Sequence, residues 1–110
     1  MQNLMENIVA VVYTTVNNTK NARKIARALV EEKLVACVNI IPKIESIYRW
    51  KGKLQKHGEY IAIIKCADKN ARKLTNHLSE LHPYSVPAIM WHNEATTPKY
   101  SKWINETAKR

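Results

Sequence analysis

The chain has 110 residues, 45% of them hydrophobic, and its 18 lysines and arginines against nine acids give a net charge of +9. This length suits a single domain over 1–110 with a core able to fold alone, and the composition excludes a disordered chain. No apolar run approaches the roughly 20 residues of a bilayer span, so a helical membrane protein is excluded. The opening stretch MQNLMENIVAVVYTT lacks the basic region and cleavage site of an export signal. Two cysteines, not spaced as zinc ligands, read as reduced thiols, and a cytoplasmic location is expected. The positive charge raises the question of nucleic acid. Its residues are spread over Lys20, Arg23, Lys24, Arg27, Lys69, Arg72, Lys73, Lys99, Lys102, Lys109 and Arg110. They read as solvated outer faces of helices, and a nucleic-acid partner is not expected.

Ile8 to Thr15 is β-branched and apolar, a buried strand. Asn17, Asn18 and Thr19 then offer N-caps to a helix whose apolar face is Ala22, Ile25, Ala26, Leu29 and Val30, closed at Lys33. Leu34 to Lys65 is a long hairpin. Val35 to Ile41 is almost wholly apolar, Ile44 to Trp50 roughly alternates, and Glu59 to Cys66 returns as a β-branched run. Gly52 sits where a tight turn needs positive φ. A two-residue loop at Lys51-Gly52 sets Glu59 opposite Ile44 and Cys66 opposite Cys37, unless a bulge intervenes. Tyr48, Arg49 and Trp50 make the tip an association surface. Asp68 is the expected cap of a second helix with Ala71, Leu74, Leu78 and Leu81 inside, ended by His82-Pro83. Val86 to Trp91 reads as an edge strand because Pro87 cannot donate. Thr97-Pro98 starts a last helix carrying Tyr100, Trp103, Ile104 and Thr107.

The order β-α-β-β-α-β plus a terminal helix is the α+β, ferredoxin-like sandwich. One sheet face then lacks helices, and its apolar character calls for a second subunit as cover.

Few residues offer chemistry. Cys37, within an apolar strand, is either inert packing or a thiolate ligand for copper(I) or zinc. Glu59 and Lys65 share strand parity, so they either mark where the strand meets water or line a cleft in which Lys65 holds an anion. The loop His82-Pro83-Tyr84-Ser85-Val86-Pro87 is rigid, and His82 is equally a helix stop or a metal or base site. Cys37 with His82 would be a nucleophile–base pair only if the fold joined them. No phosphate loop, catalytic-serine elbow or CxxC pair is present, so neither an enzyme nor an organic cofactor is expected. RNA recognition on the sheet would need aromatic side chains on the middle strands, and isoleucine and valine stand there.

Taken together, Ala36-Cys37-Val38-Asn39-Ile40, Ser46-Ile47-Tyr48-Arg49-Trp50, Gly52-Lys53, Glu59 with Lys65, His82-Pro83-Tyr84, Val86-Pro87 and Tyr100 with Trp103 resemble the CutA family of divalent cation tolerance proteins. The helix from Lys24 to Glu32 is also similar. The resemblance runs from about Ile8 to the C-terminus. It implies a ferredoxin-like subunit in a homotrimer akin to PII-type signalling proteins, with extended hairpins clasping neighbours. It also implies tolerance to divalent cations, with copper binding. The cleft residues it implies are Cys37, Tyr48, Trp50, Glu59, Lys65, His82 and Tyr84, among which Cys37 and His82 are the candidate metal ligands by their side-chain chemistry. Where the family loop commonly carries glutamates this chain has Ser85 and Ala88, and Thr96-Thr97 replaces a Gly-Asn. Two hard oxygen ligands are thereby lost. The alternative is a PII-like regulatory scaffold holding a small anion in the inter-subunit cleft.

Overall fold

The computed structural model describes residues 7–108; the opening 1–6 and the tail cations Lys109 and Arg110 lie outside it. The elements are β1 (Ile8–Val16), α1 (Thr19–Glu31), β2 (Cys37–Trp50), β3 (Lys53–Ala67), α2 (Ala71–Leu81), β4 (Ile89–Ala95) and α3 (Pro98–Thr107). The strands form one antiparallel sheet in the order β2-β3-β1-β4.

Strand parity divides the sheet into two faces. Ala10, Val12 and Val16 of β1 and Ala62, Ile64 and Cys66 of β3 form one core with Ala22, Ile25 and Leu29 of α1 and Ala71, Leu74 and Leu78 of α2. The alternate residues face the other way. Val9 packs there with Ala36, Ile104 and Ala108, so α3 covers one end of this second face. The remainder, built on Val11, Tyr13, Ile41, Ile61 and Ile63, carries no helix, and Ile41 is exposed.

Local chemistry accounts for the element ends. The Asn18 side chain accepts a hydrogen bond from the Asn21 N–H at 2.8 Å and caps α1. At its other end Lys33 has φ 59, and the N–H groups of Lys33 and Leu34 donate to the carbonyls of Val30 and Leu29. This is a Schellman closure with lysine where glycine is usual. Lys51 (φ 49) and Gly52 (φ 77) form the two-residue hairpin loop, the backbone pattern of a type I′ turn. Thr97 caps α3 through the Tyr100 N–H at 3.2 Å, with Pro98 in its first turn.

Several expectations are corrected. Ile44 does face Glu59, but a bulge between Ile41 and Ile44, with Lys43 at φ 56, shifts the register beyond it. Cys37 therefore faces Lys65, and both cysteines are free thiols. Cys66 is on the helix-covered face instead. Asp68 makes no capping bond; it opens a 3-10 turn, Asp68–Asn70, ahead of α2. Leu81 and Val30 are exposed rather than internal, since each lies at a helix end where the sheet surface runs out. The last strand starts at Ile89 and reaches Ala95, because pairing with β1 begins at Thr14–Ile89. Val86 is left in the loop, 69% exposed. An edge position for this strand is what the sheet order gives.

Candidate functional site

The bulge bends the hairpin where β3 leaves β1, and polar side chains gather there. Glu59 is buried although it is charged. The Tyr84 hydroxyl donates to its carboxylate at 2.7 Å. Burial pushes the Glu59 carboxyl upward, but hydrogen bonds from Ser46, Tyr84 and Thr15, with the nearby His57, outweigh it and hold the group below its ordinary value. Tyr84 is shifted the opposite way, raised by burial and then by its bond to Glu59. At neutral pH the pair is thus a carboxylate and a phenol, and the phenol is the donor.

His82 ties this pair to the sheet. Its Nδ1 accepts the Tyr84 backbone N–H at 3.1 Å, which leaves Nε2–H to donate to the Thr15 carbonyl at 2.8 Å. The imidazole is neutral, with burial the main cause of its lowered pKa and the Thr15 bond and Glu59 opposing it. The stop between α2 and β4 is therefore anchored to β1 through His82 and to β3 through Tyr84. Nearby, the Tyr48 hydroxyl lies 2.6 Å from His57 Nδ1. Lys43, Ile44, Glu45, Lys56, His57, Gly58, Glu59 and Tyr60 line a cleft of about 460 Å³ at the bulge, and Lys56 pairs with Glu45 across it at 3.5 Å.

Of the residues named from sequence, Glu59, His82 and Tyr84 meet directly, with Tyr48 beside them. Trp50 stands at the hairpin tip, 45% exposed. Cys37 and Lys65 form a cross-strand pair elsewhere. Lys65 lies beside Val11 and His82 bonds Thr15, so about four residues of β1, on the order of 13 Å, separate the two ends. The fold does not join Cys37 to His82 within one chain. The half-buried Cys37 thiol lies 3.9 Å from the Asn39 side-chain oxygen, to which the Lys65 ammonium also donates. Cys37 also adjoins Tyr100 of α3, whose phenol is raised by burial and then by this thiol. Cys66 is fully buried, and burial followed by Asp68 pushes its thiol up to about 11, which leaves it unreactive. Among the described residues no three His, Cys, Asp or Glu side chains are grouped to hold a metal ion.

Sequence reasoning missed Ser46, His57 and Thr15. The first two face each other across the hairpin on the tip side of the bulge, where the simple loop register holds, so that register could have found them. Thr15 comes from another strand, and no local signal points to it.

Residues 10–107 match the family model of the CutA1 divalent ion tolerance protein. A protein CutA homolog of Xenopus laevis is 44% identical over 86% of this chain and 63% of its own length. The divalent-cation tolerance protein CutA of Thermus thermophilus is 42% identical over 87% of this chain and 94% of its own. The chain spans little more than half of some plant and animal relatives, 55% of the chloroplastic CutA of Arabidopsis thaliana among them. In three dimensions it superposes on CutA1 of Ehrlichia chaffeensis with a TM-score of 0.89 at 31% identity, covering 94% of this chain and 97% of that one. The periplasmic CutA of Archaeoglobus fulgidus gives 0.86 at 31% identity, covering 92% and 99%. Sequence match and fold agree over almost the whole described chain, and the chain belongs to the CutA family of divalent-cation tolerance proteins.

Proposed function

We propose that this protein is a non-catalytic, homotrimeric cation-response protein that binds copper or a related cation at a site completed between copies. The observation that carries the reading is the half-buried Cys37 thiol on the second sheet face, beside Tyr100 of α3 and next to the part of that face that carries no helix. A thiolate suits copper(I), and Cys37 is the one cysteine not sealed in the core. His82, with both ring nitrogens engaged, would have to surrender a hydrogen bond to become a ligand. Free thiols fit a reducing compartment, and a cytoplasmic location is part of the proposal.

The decisive experiment is an anaerobic copper(I) competition titration of wild type, Cys37→Ser and His82→Gln. Tight stoichiometric binding lost with Cys37→Ser while folding persists supports the reading. Binding no tighter than that of surface histidine sinks it. A second reading has its own observation: Lys43, Lys56 and His57 line the cleft at the bulge beside Glu45 and Glu59, and with Lys56 paired to Glu45 a small anion would rest on Lys43 and His57, as in a PII-like regulatory scaffold. Thermal-shift screening with nucleotides and simple carboxylates separates the two.

A further inference from the structure

We propose that the outward face of α1 is a docking surface for the phosphate backbone of duplex nucleic acid. Between Glu6 and Glu31 the sequence contains no acid. Within that stretch Lys20, Arg23, Lys24 and Arg27 are all exposed. Their i, i+3, i+4, i+7 spacing places them in one stripe, about 10 Å long at 1.5 Å per residue. The stripe runs opposite Ala22, Ile25 and Leu29, the residues α1 buries. Among the described residues, none of the four cations is in a salt bridge.

Two rules of helix stability are broken here. Like charges at i, i+3 and i, i+4 repel, and the stripe stacks four such neighbouring pairs. Cations also belong at a helix C-terminus, yet Lys20 stands in the first turn, which holds no acid. A solvated face arranged for stability would interleave acids; here the first acid on the stripe is Glu31, four residues beyond Arg27 in the last turn of α1, and Lys20, Arg23 and Lys24 have none within i+4. A polyanion lying along the stripe removes both penalties at once. The spread of basic residues through the sequence hides this, because the charges on α1 converge only when the helix is wound.

The shape of the surface selects the partner. It is the convex back of a helix, without a concavity for a small anion, whereas a duplex presents one phosphate charge about every 1.7 Å of its axis. No aromatic side chain interrupts the four cations, so bases have nothing to stack on and the contact is to backbone, independent of sequence. Insertion into a membrane is disfavoured because Ala22, Ile25 and Leu29, which carry most of the apolar face of α1, are committed to the core. The stripe lies on the helix side of the sheet, so it stays accessible when another copy covers the opposite face.

The test is fluorescence anisotropy of a labelled duplex of two helical turns, titrated with the full chain across a salt series. Wild type should bind with log K falling against log salt at a slope of about −3 to −4 per engaged stripe. Replacing Lys20, Arg23, Lys24 and Arg27 together by Gln should weaken binding by about tenfold or more and flatten that slope. A control with Lys53, Lys69, Lys99 and Lys102 replaced by Gln removes equal charge and should bind like wild type. Equal loss in both variants would show that net charge alone is at work and overturn the proposal. So would salt-insensitive binding, or tighter association with phosphatidylserine vesicles than with the duplex. Should the fourfold variant fail to fold, Lys24→Gln and Arg27→Gln singly must each weaken binding, and no loss from either overturns it as well.

Discussion

Glu59 shows how a charge is kept inside a small domain mainly by hydrogen bonds, with only His57 adding a favourable charge nearby. Three hydroxyl donors, from Ser46, Tyr84 and Thr15, do the work of a counterion. Because the folded carboxyl titrates below its ordinary value, its contribution to stability is complete above the unfolded carboxylate pKa and is lost as pH falls through the folded one. His82 acts in the same direction from higher pH. Its imidazole is held below its ordinary value, so protonation of the unfolded chain drains stability once pH drops beneath about 6.5. The urea midpoint should therefore be flat above neutral pH, decline below about 6.5, and steepen in the carboxylate range. His82→Gln should abolish the upper part of that decline, and an unchanged profile would refute the assignment. Thr14 offers a converse case. Its side chain is fully buried and its hydroxyl has no hydrogen-bond partner among the described residues. Thr14→Val should raise stability by about 1 kcal/mol, read as a higher urea midpoint with unchanged slope.

At the scale of elements, three lysines occupy left-handed backbone: Lys33 closing α1, Lys43 in the bulge and Lys51 in the hairpin loop. A chain with two glycines fills such positions with side chains that pay for the conformation. Lys33→Gly should stabilise by about 0.5–1 kcal/mol, the relief of a Cβ clash less the entropy of glycine. Gly52→Ala, at φ 77, should destabilise by about 1 kcal/mol although open space surrounds its Cα. Thermal melts of the two variants should move in opposite directions. These positions also mark where sequence reading stops. The strands, the caps at Asn18 and Thr97, the stop at His82 and the turn at Gly52 were legible because each is a local preference. The bulge was missed although Pro42, which cannot donate to a ladder, stands inside it; a proline in a strand marks either an edge or a bulge and does not say which. One inserted residue moved Cys37 from Cys66 to Lys65. Tyr84 and Glu59 could be nominated through the family resemblance, but their contact depends on α2 delivering its loop to β3, a tertiary event with no sequence signal.

The described residues span 53 × 29 × 22 Å, long for a chain of this size because the hairpin projects beyond the helices. Its tip exposes Ile47, Tyr48, Trp50 and Leu54, the last at 73%, and the sheet face without helices exposes Ile41 and Met90. Leaving this much apolar surface in water is unfavourable at roughly 25 cal/mol per Å², and closed association of identical copies is the economical remedy. The near-continuous apolar runs that make the inner parts of β2 and β3 apolar on both sides were visible in sequence; what covers the second side was not, since a chain encodes its partner only as an unexplained surplus of isoleucine. Ile61 and Ile63 sit near the centre of that face, while Trp50 and Leu54 lie at the far end of the arm. If the face and the arm belong to one interface, a charge at either place should break the same assembly. Ile63→Lys and Leu54→Lys should each shift sedimentation from a trimer toward a monomer at micromolar concentration, with helix content retained in circular dichroism. Charge on the α1 stripe should leave the sedimentation coefficient unchanged, because that face points away. A wild-type chain that sediments as a monomer, or a trimer that survives both substitutions, would remove the shared site from the functional proposal and leave Cys37 as an ordinary strand residue.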